Sequence, residues 1–288
     1  MPTLTDIAVI RELCARHGFT LSKGFGQNFI VNPGICPKIA EAAGIGPGWG
    51  VLEIGPGIGV LTKELSAVCG RVAAVELDRR LPDVLAETLA DCPNVQVVPG
   101  DVLQMDLQAL FADQFAGCDR MQVCANLPYY ITTPVLMRLL ESELPIERLV
   151  VMVQLEAAKR LCAPLGTRDC GAVSAAVEYY TQAEILFEVG RESFYPSPNV
   201  DSAVIALTRR QQPPVQVTDE GYFFRVVKGA FLQRRKTLAN SLNAALGVPK
   251  AELTALFQSL GLSATARAEQ LTMSQMAALA NALYEKKA

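Results

Sequence analysis

The 288-residue sequence contains a single histidine, His17. That scarcity excludes most chemistry built on imidazole, because a Ser-His-Asp or Cys-His hydrolase would have to draw its base from His17, inside a predicted N-terminal helix. No Cys-x-x-Cys pair occurs among the eight cysteines (Cys14, Cys36, Cys69, Cys92, Cys118, Cys124, Cys162 and Cys170). A zinc site poor in histidine needs closely spaced thiolates, so no metal is expected. Most of these cysteines sit in apolar segments and read as reduced core thiols. No stretch approaches the about 18 continuous apolar residues of a membrane span. The first residues place Ile7, Ile10, Leu13 and Cys14 at helical spacing, broken by Asp6, Arg11, Glu12 and Arg16, and do not form a charged-then-apolar signal sequence. A mature, cytoplasmic protein without a membrane partner is expected.

What is present describes a globular chain, 50% apolar and 19% charged. Its length exceeds one domain of about 100 to 200 residues, so a main domain with a smaller companion is expected. Apolar runs bounded by turn residues recur at Val51–Ile54, Val72–Val75, Val95–Val98, Met121–Cys124 and Leu149–Val153. Between them Val60–Cys69, Leu81–Leu89 and Pro134–Leu140 have helical spacing, the alternation of a doubly wound parallel sheet. A helix over Ala172–Tyr180 and two β-rich runs, Glu184–Val189 and Ser202–Thr208, follow; the runs are expected to add an antiparallel edge pair. After Gln211-Gln212-Pro213-Pro214 only helical patterns remain, at Gly221–Leu232, Arg235–Leu246, Lys250–Leu260 and Thr272–Tyr284. The domains are therefore placed at 1–210 and 211–288.

The net charge of −3 hides an asymmetry. Between Ile205 and Asn240 seven Arg and Lys residues face two acids, a local +5, so the rest of the chain carries −8. Arg234, Arg235 and Lys236 are the densest part of this basic region and the candidates for phosphate contact.

The first strand runs into Glu53-Ile54-Gly55-Pro56-Gly57-Ile58-Gly59, a glycine turn into which a ligand can approach backbone closely. Its Gly-x-Gly-x-Gly spacing departs from the dinucleotide Gly-x-Gly-x-x-Gly and favours an adenosyl ligand over a pyrophosphate, with Gly55 and Gly57 as cofactor-binding candidates. Glu76 ends the second strand, 21 residues after Gly55, where a carboxylate can accept both ribose hydroxyls. Asp78 reads as a cap for the following helix. Asp101, after the third strand, is placed to accept from an adenine amine. Asn126-Leu127-Pro128-Tyr129 follows the fourth strand. An aromatic amine such as adenine N6 is a poor nucleophile, and a site helps it by accepting its hydrogen bonds and aiming it at a methyl group. The Asn126 side-chain oxygen and the Leu127 or Pro128 carbonyl can do so, and Tyr129 can stack on an extruded base.

With these loops the chain resembles the KsgA (RsmA) family of small-subunit rRNA adenine N6,N6-dimethyltransferases. The resemblance extends through Gly26-Gln27-Asn28-Phe29-Ile30, Val153-Gln154-Leu155-Glu156, Phe194-Tyr195-Pro196-Ser197-Pro198-Asn199-Val200-Asp201-Ser202 and Phe231-Leu232-Gln233-Arg234-Arg235-Lys236-Thr237-Leu238. It implies an α/β fold, a Rossmann-like class I methyltransferase sheet with an antiparallel edge strand, followed by a small all-helical C-terminal domain that binds RNA or the ribosome. It implies S-adenosylmethionine as cofactor, contacted by Asn28, Ile30, Gly55, Glu76, Asp101 and Asn126, and a target adenine held between Tyr129 and Phe194. The implied substrate is a pair of adjacent adenosines in a loop near the 3′ end of 16S rRNA in the immature small subunit, with the enzyme acting as a monomer. Cys170 and Val173-Ser174 depart from the residues expected there, and the acidic net charge departs from a ribosome-binding surface.

Three other readings share part of this pattern. A 23S rRNA adenine N6-methyltransferase of the macrolide-resistance type has the same cofactor loops and Asn-Leu-Pro-Tyr. A non-catalytic ribosome-assembly checkpoint factor would not need Gly55, Glu76, Asp101 and Asn126 intact. A nicotinamide dehydrogenase conflicts with the glycine spacing.

Overall fold

The computed structural model describes residues 3–21 and 27–287; Gly26 of the Gly26–Ile30 motif lies outside them. The chain divides into two compact units, one of residues 1–158 with 184–209 and one of residues 159–183 with 210–288.

The first unit is organised by a seven-stranded sheet. After helix α1 (Ile7–Arg16) and the short strand β1 (Phe29–Ile30), helix α2 (Ile35–Ala43) leads to β2 (Trp49–Ile54). Strands and helices then alternate as α3 (Val60–Val68), β3 (Arg71–Glu76), α4 (Leu81–Thr88), β4 (Val95–Pro99), α5 (Leu107–Gln114), β5 (Arg120–Asn126), α6 (Thr132–Leu140), β6 (Ile146–Gln154) and α7 (Leu155–Leu161). After α8 (Ala172–Tyr180) come β7 (Thr181–Val189), β8 (Phe194–Tyr195) and β9 (Ser202–Arg209). The sheet order is β4-β3-β2-β5-β6-β9-β7. Strands β2 to β6 pair in parallel, and β9 runs antiparallel to β6. The expected α/β class is thus present, and the order reverses between β2 and β5, the crevice where ligands collect in open α/β sheets.

Central strands covered on both faces read as unbroken apolar runs, and Val51, Leu52, Val72, Ala73, Val123 and Cys124 are all buried. One face packs Ile39, Leu61 and Leu65 from α2 and α3 against Val51, Cys124 and Val150. A second cluster gathers Ile10 and Leu13 of α1, Val84 and Leu85 of α4, Phe29 and Ile58. Asp6 caps α1 by accepting from Ala8 N at 2.8 Å, and Asp106 caps α5 through Ala109 N at 3.0 Å. His17 closes α1 with its Nε2 2.7 Å from Glu87 Oε2. All eight cysteines are free thiols. Burial pushes Cys69 up to about 11 and Cys124 up to about 12, so both stay protonated and inert.

The second unit is helical apart from the start of β7. It comprises α8 and then α9 (Glu220–Ala230), α10 (Leu238–Leu246), α11 (Lys250–Ser259) and α12 (Met273–Glu285). A single cut at 210/211 assigns α8 to the sheet domain, whereas the contacts place residues 159–183 with the C-terminal helices. The cause is an aromatic cluster: Tyr179 lies 5.4 Å from Phe223 and 5.2 Å from Phe224, and Tyr180 stacks on Phe224 at 5.4 Å. Both phenols donate to Glu220, at 3.2 and 2.6 Å. α8 thus adds an apolar, aromatic face to the four C-terminal helices. The helix expected from Arg235 begins only at Leu238, because Thr237 is the extended N-cap residue. Among the described residues no helix is long and apolar enough to cross a membrane.

Candidate active site

The carboxyl ends of β2, β3, β4 and β5 converge on one cleft, and the glycine turn after β2 lines it through Gly55 and Gly57. Gly55, Gly57 and Gly59 have φ of 71°, 61° and 89°, the left-handed region that side-chain-bearing residues avoid. This turn leaves the N-terminus of α3 without a side-chain cap, so its amides stay directed at the cleft. A Cβ on Gly57 would come within 3.1 Å of the Phe29 ring, which shows how closely β1 covers the turn. A Cβ on Gly55 would reach Pro128 at 3.8 Å, so the glycine turn and the Asn126 loop face each other.

Glu76 ends β3 with 7% of its surface exposed. Its Oε1 accepts from Asp78 N at 2.8 Å and its Oε2 from Gly57 N at 3.3 Å, which fixes the carboxylate at the cleft wall. Burial raises its pKa, partly offset by those two amides. Asp78 accepts from Arg80 N at 3.1 Å at the entry to α4, in line with the capping expected of it, and does more besides. Its carboxylate accepts from Gln27 Nε2 at 2.8 Å and from the Arg80 guanidinium at 2.6 Å, while Arg80 itself occupies the N-cap of α4. The Arg80 hydrogen bond holds Asp78 below the usual carboxylate range, so it stays ionised and anchors Gln27 beside the glycine turn. Asp101 follows β4, where its Oδ1 accepts from Leu103 N at 2.9 Å.

Asn126 is the last residue of β5, paired in register with Met152. Leu127 N then donates to Met152 O at 3.1 Å, and the Pro128 carbonyl accepts from Ile131 N at 3.1 Å and from the Thr132 hydroxyl at 3.3 Å. Both lone pairs of Pro128 O are thus engaged inside the turn. The Tyr129 hydroxyl lies 2.8 Å from Ser202 Oγ. Phe194, 3% exposed, belongs to a two-stranded sheet in which β8 pairs antiparallel with β1, Ile30 opposite Phe194 and Phe29 opposite Tyr195.

The structure therefore brings Asn28, Ile30, Gly55, Gly57, Glu76, Asp101, Asn126, Leu127, Pro128, Tyr129 and Phe194 around one cleft of about 1010 Å³, its open mouth included. Arg234, Arg235 and Lys236 lie elsewhere, exposed in the turn between α9 and α10 beside Leu232, which is 60% exposed. Among the described residues no cluster of His, Cys, Asp and Glu has metal-site geometry.

Sequence reasoning assigned no role to Glu53, Gln27, Tyr130 or Ser202. Glu53 lines the cleft from β2, is 1% exposed, and its Oε2 has no hydrogen-bond partner among the described residues. Burial pushes its pKa up to about 8, offset in part by the Thr62 hydroxyl and reinforced by the Glu76 charge. The available signal was an acid inside an otherwise apolar strand, Val51-Leu52-Glu53-Ile54.

Comparison with known proteins points the same way. A family model described as Ribosomal RNA adenine dimethylase matches residues 18–285. The Ribosomal RNA small subunit methyltransferase A of Geobacillus thermodenitrificans is 48% identical over 276 residues, covering 95% of this chain and 94% of that protein. That of Bacillus mycoides is 45% identical over 286 residues, covering 97% and 98%. Among solved structures, a dimethyladenosine transferase from Plasmodium falciparum superposes with a TM-score of 0.75 at 25% identity, covering 90% of this chain and 98% of that one. The 23S rRNA methyltransferase ErmE gives 0.67 at 27% identity, covering 88% and 98%. With glycine turn, paired acids and Asn126 loop assembled at one sheet edge, the chain belongs to the ribosomal RNA adenine dimethylase family.

Proposed function

We propose that the chain dimethylates N6 of two adjacent adenosines in a loop near the 3′ end of 16S rRNA, within the immature small ribosomal subunit, using S-adenosylmethionine. The observation that carries this reading is the position of Asn126, at the end of β5 in the same cleft as the glycine turn, Glu76 and Asp101. Relatives named for the small subunit, at 45 to 48% identity, favour it over the large-subunit reading.

The residues present fit the cofactor. The glycine turn gives backbone access, Glu76 offers a fixed carboxylate to a ribose, Asp101 stands at the neighbouring strand end, and Glu53 presents an unpartnered carboxyl oxygen. Asn28 and Ile30 close the same wall. S-adenosylmethionine, when bound, supplies an electrophilic methyl carbon on a sulfonium.

The chain's own task is alignment. Asn126 Oδ1 and Leu127 O accept hydrogen bonds from the amine, keeping its lone pair directed along the transfer axis, and the rings of Tyr129 and Phe194 hold the base. No general base is required, since nitrogen becomes cationic on attack and its proton leaves to solvent. A second transfer needs only one of the two amine hydrogen bonds. Arg234, Arg235 and Lys236, in the 211–288 segment, would contact phosphates, which concentrates positive charge where RNA binds despite the acidic total.

The deciding experiment supplies labelled methyl donor with purified immature small subunits and, separately, large subunits from an unmodified strain, then identifies the labelled nucleoside. Dimethyladenosine in 16S rRNA is expected. Label confined to 23S rRNA, or none in either, would overturn the reading.

A further inference from the structure

The turn after β5 carries two consecutive tyrosines, and both line the cleft. Their surroundings differ. Tyr129 is half-buried, with its hydroxyl held by Ser202 at 2.8 Å. Tyr130 is 54% exposed. The turn is closed by the Ile131 N to Pro128 O bond at 3.1 Å, and successive residues at such a corner project in different directions.

The Ser202 bond draws Tyr129 toward β9, and the charges around the two phenols agree with a different surrounding for Tyr130. Burial raises both pKa values; beyond that, the acid acting on Tyr129 is Asp201, whereas those acting on Tyr130 are Asp101 and Glu76. Asp101 and Glu76 mark the ends of β4 and β3, the part of the cleft assigned above to the adenosyl group. Leu77, 43% exposed, lines the cleft beside them. Two large side chains, one aromatic and one aliphatic, thus stand exposed along the cleft, the kind of surface a flat purine covers.

We infer that Tyr130 is a cofactor-binding residue whose ring covers the adenosyl end of the cleft, while Tyr129 serves the RNA base, so that neighbouring tyrosines divide the two purines of the reaction. The inference rests on the proposed use of S-adenosylmethionine. A ring in that position also shields the Glu76 and Asp101 hydrogen bonds from water, which strengthens them.

The test is calorimetric titration of the full chain with S-adenosylhomocysteine, without RNA. Stacking of a base on an aromatic ring sets the expected size: Tyr130→Ala should raise Kd about tenfold. Tyr130→Phe, which keeps the ring, should bind as the unchanged protein does. In the same assay Tyr129→Ala should stay within about twofold of the unchanged protein, although its methyl transfer to RNA falls. Because Tyr130 is exposed, thermal melting of both Tyr130 variants should be unaltered. Tyr130→Ala binding with unchanged Kd would overturn the inference, as would an equal loss in Tyr130→Phe, which would move the effect from ring to hydroxyl. Failure of the unchanged protein to bind S-adenosylhomocysteine would overturn the proposed cofactor itself.

Discussion

Ser202 Oγ and the Tyr129 hydroxyl lie 2.8 Å apart, joining the first residue of β9 to the loop that follows β5. Ser202 is fully buried, so this bond tethers the far end of the Tyr129 side chain to a fixed point. Ser202→Ala removes it. A loss of about 0.5 to 1.5 kcal/mol in stability is expected, the usual net value of one hydrogen bond. A larger effect should appear as a raised KM for RNA with the affinity for S-adenosylhomocysteine unchanged, and Ser202→Thr should restore it. Unaltered RNA kinetics in Ser202→Ala would reduce the bond to a structural one.

Asn126→Ala takes away the side-chain acceptor proposed above for the amine. A fall in kcat of at least about 100-fold is expected, by analogy with loss of one preorganised polar group from a reacting centre. The fold should survive, since the β5–β6 ladder uses the Asn126 backbone and not its side chain. Labelled-methyl turnover and a circular dichroism melt check the two halves separately; near-normal turnover would remove Asn126 from its assigned role.

Glu53 gives the protein a pH-dependent stability. Its pKa rises from an ordinary 4.5 in the unfolded chain to about 8 in the fold. Between those values the folded state holds a proton that the unfolded state has lost, so stability falls as pH rises through this window. Glu53→Gln should flatten that decline and make the cofactor-free protein more resistant to urea at pH 8.5 than the unchanged chain, with little difference at pH 4.5. Parallel urea midpoints for the two proteins across that range would contradict the assignment.

Replacing Arg234, Arg235 and Lys236 together by alanine should weaken RNA binding and lower the magnitude of its logarithmic salt slope by about 2 to 3, one counterion-release contribution for each lost phosphate contact. Nitrocellulose retention between low and moderate salt measures it. An unchanged slope would return the three residues to plain surface.

Much of the fold is legible in the sequence because its central strands are covered on both faces, so Val51–Ile54 and Val72–Val75 stand out as short apolar blocks. Once strand order follows, Glu76, Asp101 and Asn126 fall at one edge without further information. Helix α2 has no counterpart in the sequence reading: Pro37 sits in its first turn, where proline is tolerated, yet it resembles a breaker. Strands β1 and β8, of two residues each, carry no periodicity, and their pairing depends on segments far apart in the chain. The allegiance of α8 was hidden for the same reason, since Tyr179 and Tyr180 find their partners only once α9 is in place. The protonated state of Glu53 is set by its neighbours, and composition cannot show it.

The antiparallel pairing of Phe29 with Tyr195 and Ile30 with Phe194 has a mechanical consequence. One strand of this clasp lines the cofactor wall and the other presents the ring assigned to the substrate base, so neither lip of the cleft can drift alone. An insertion or proteolytic nick beside either strand should loosen both lips together, registering as a joint loss of small-ligand and nucleic-acid affinity from damage to a single spot.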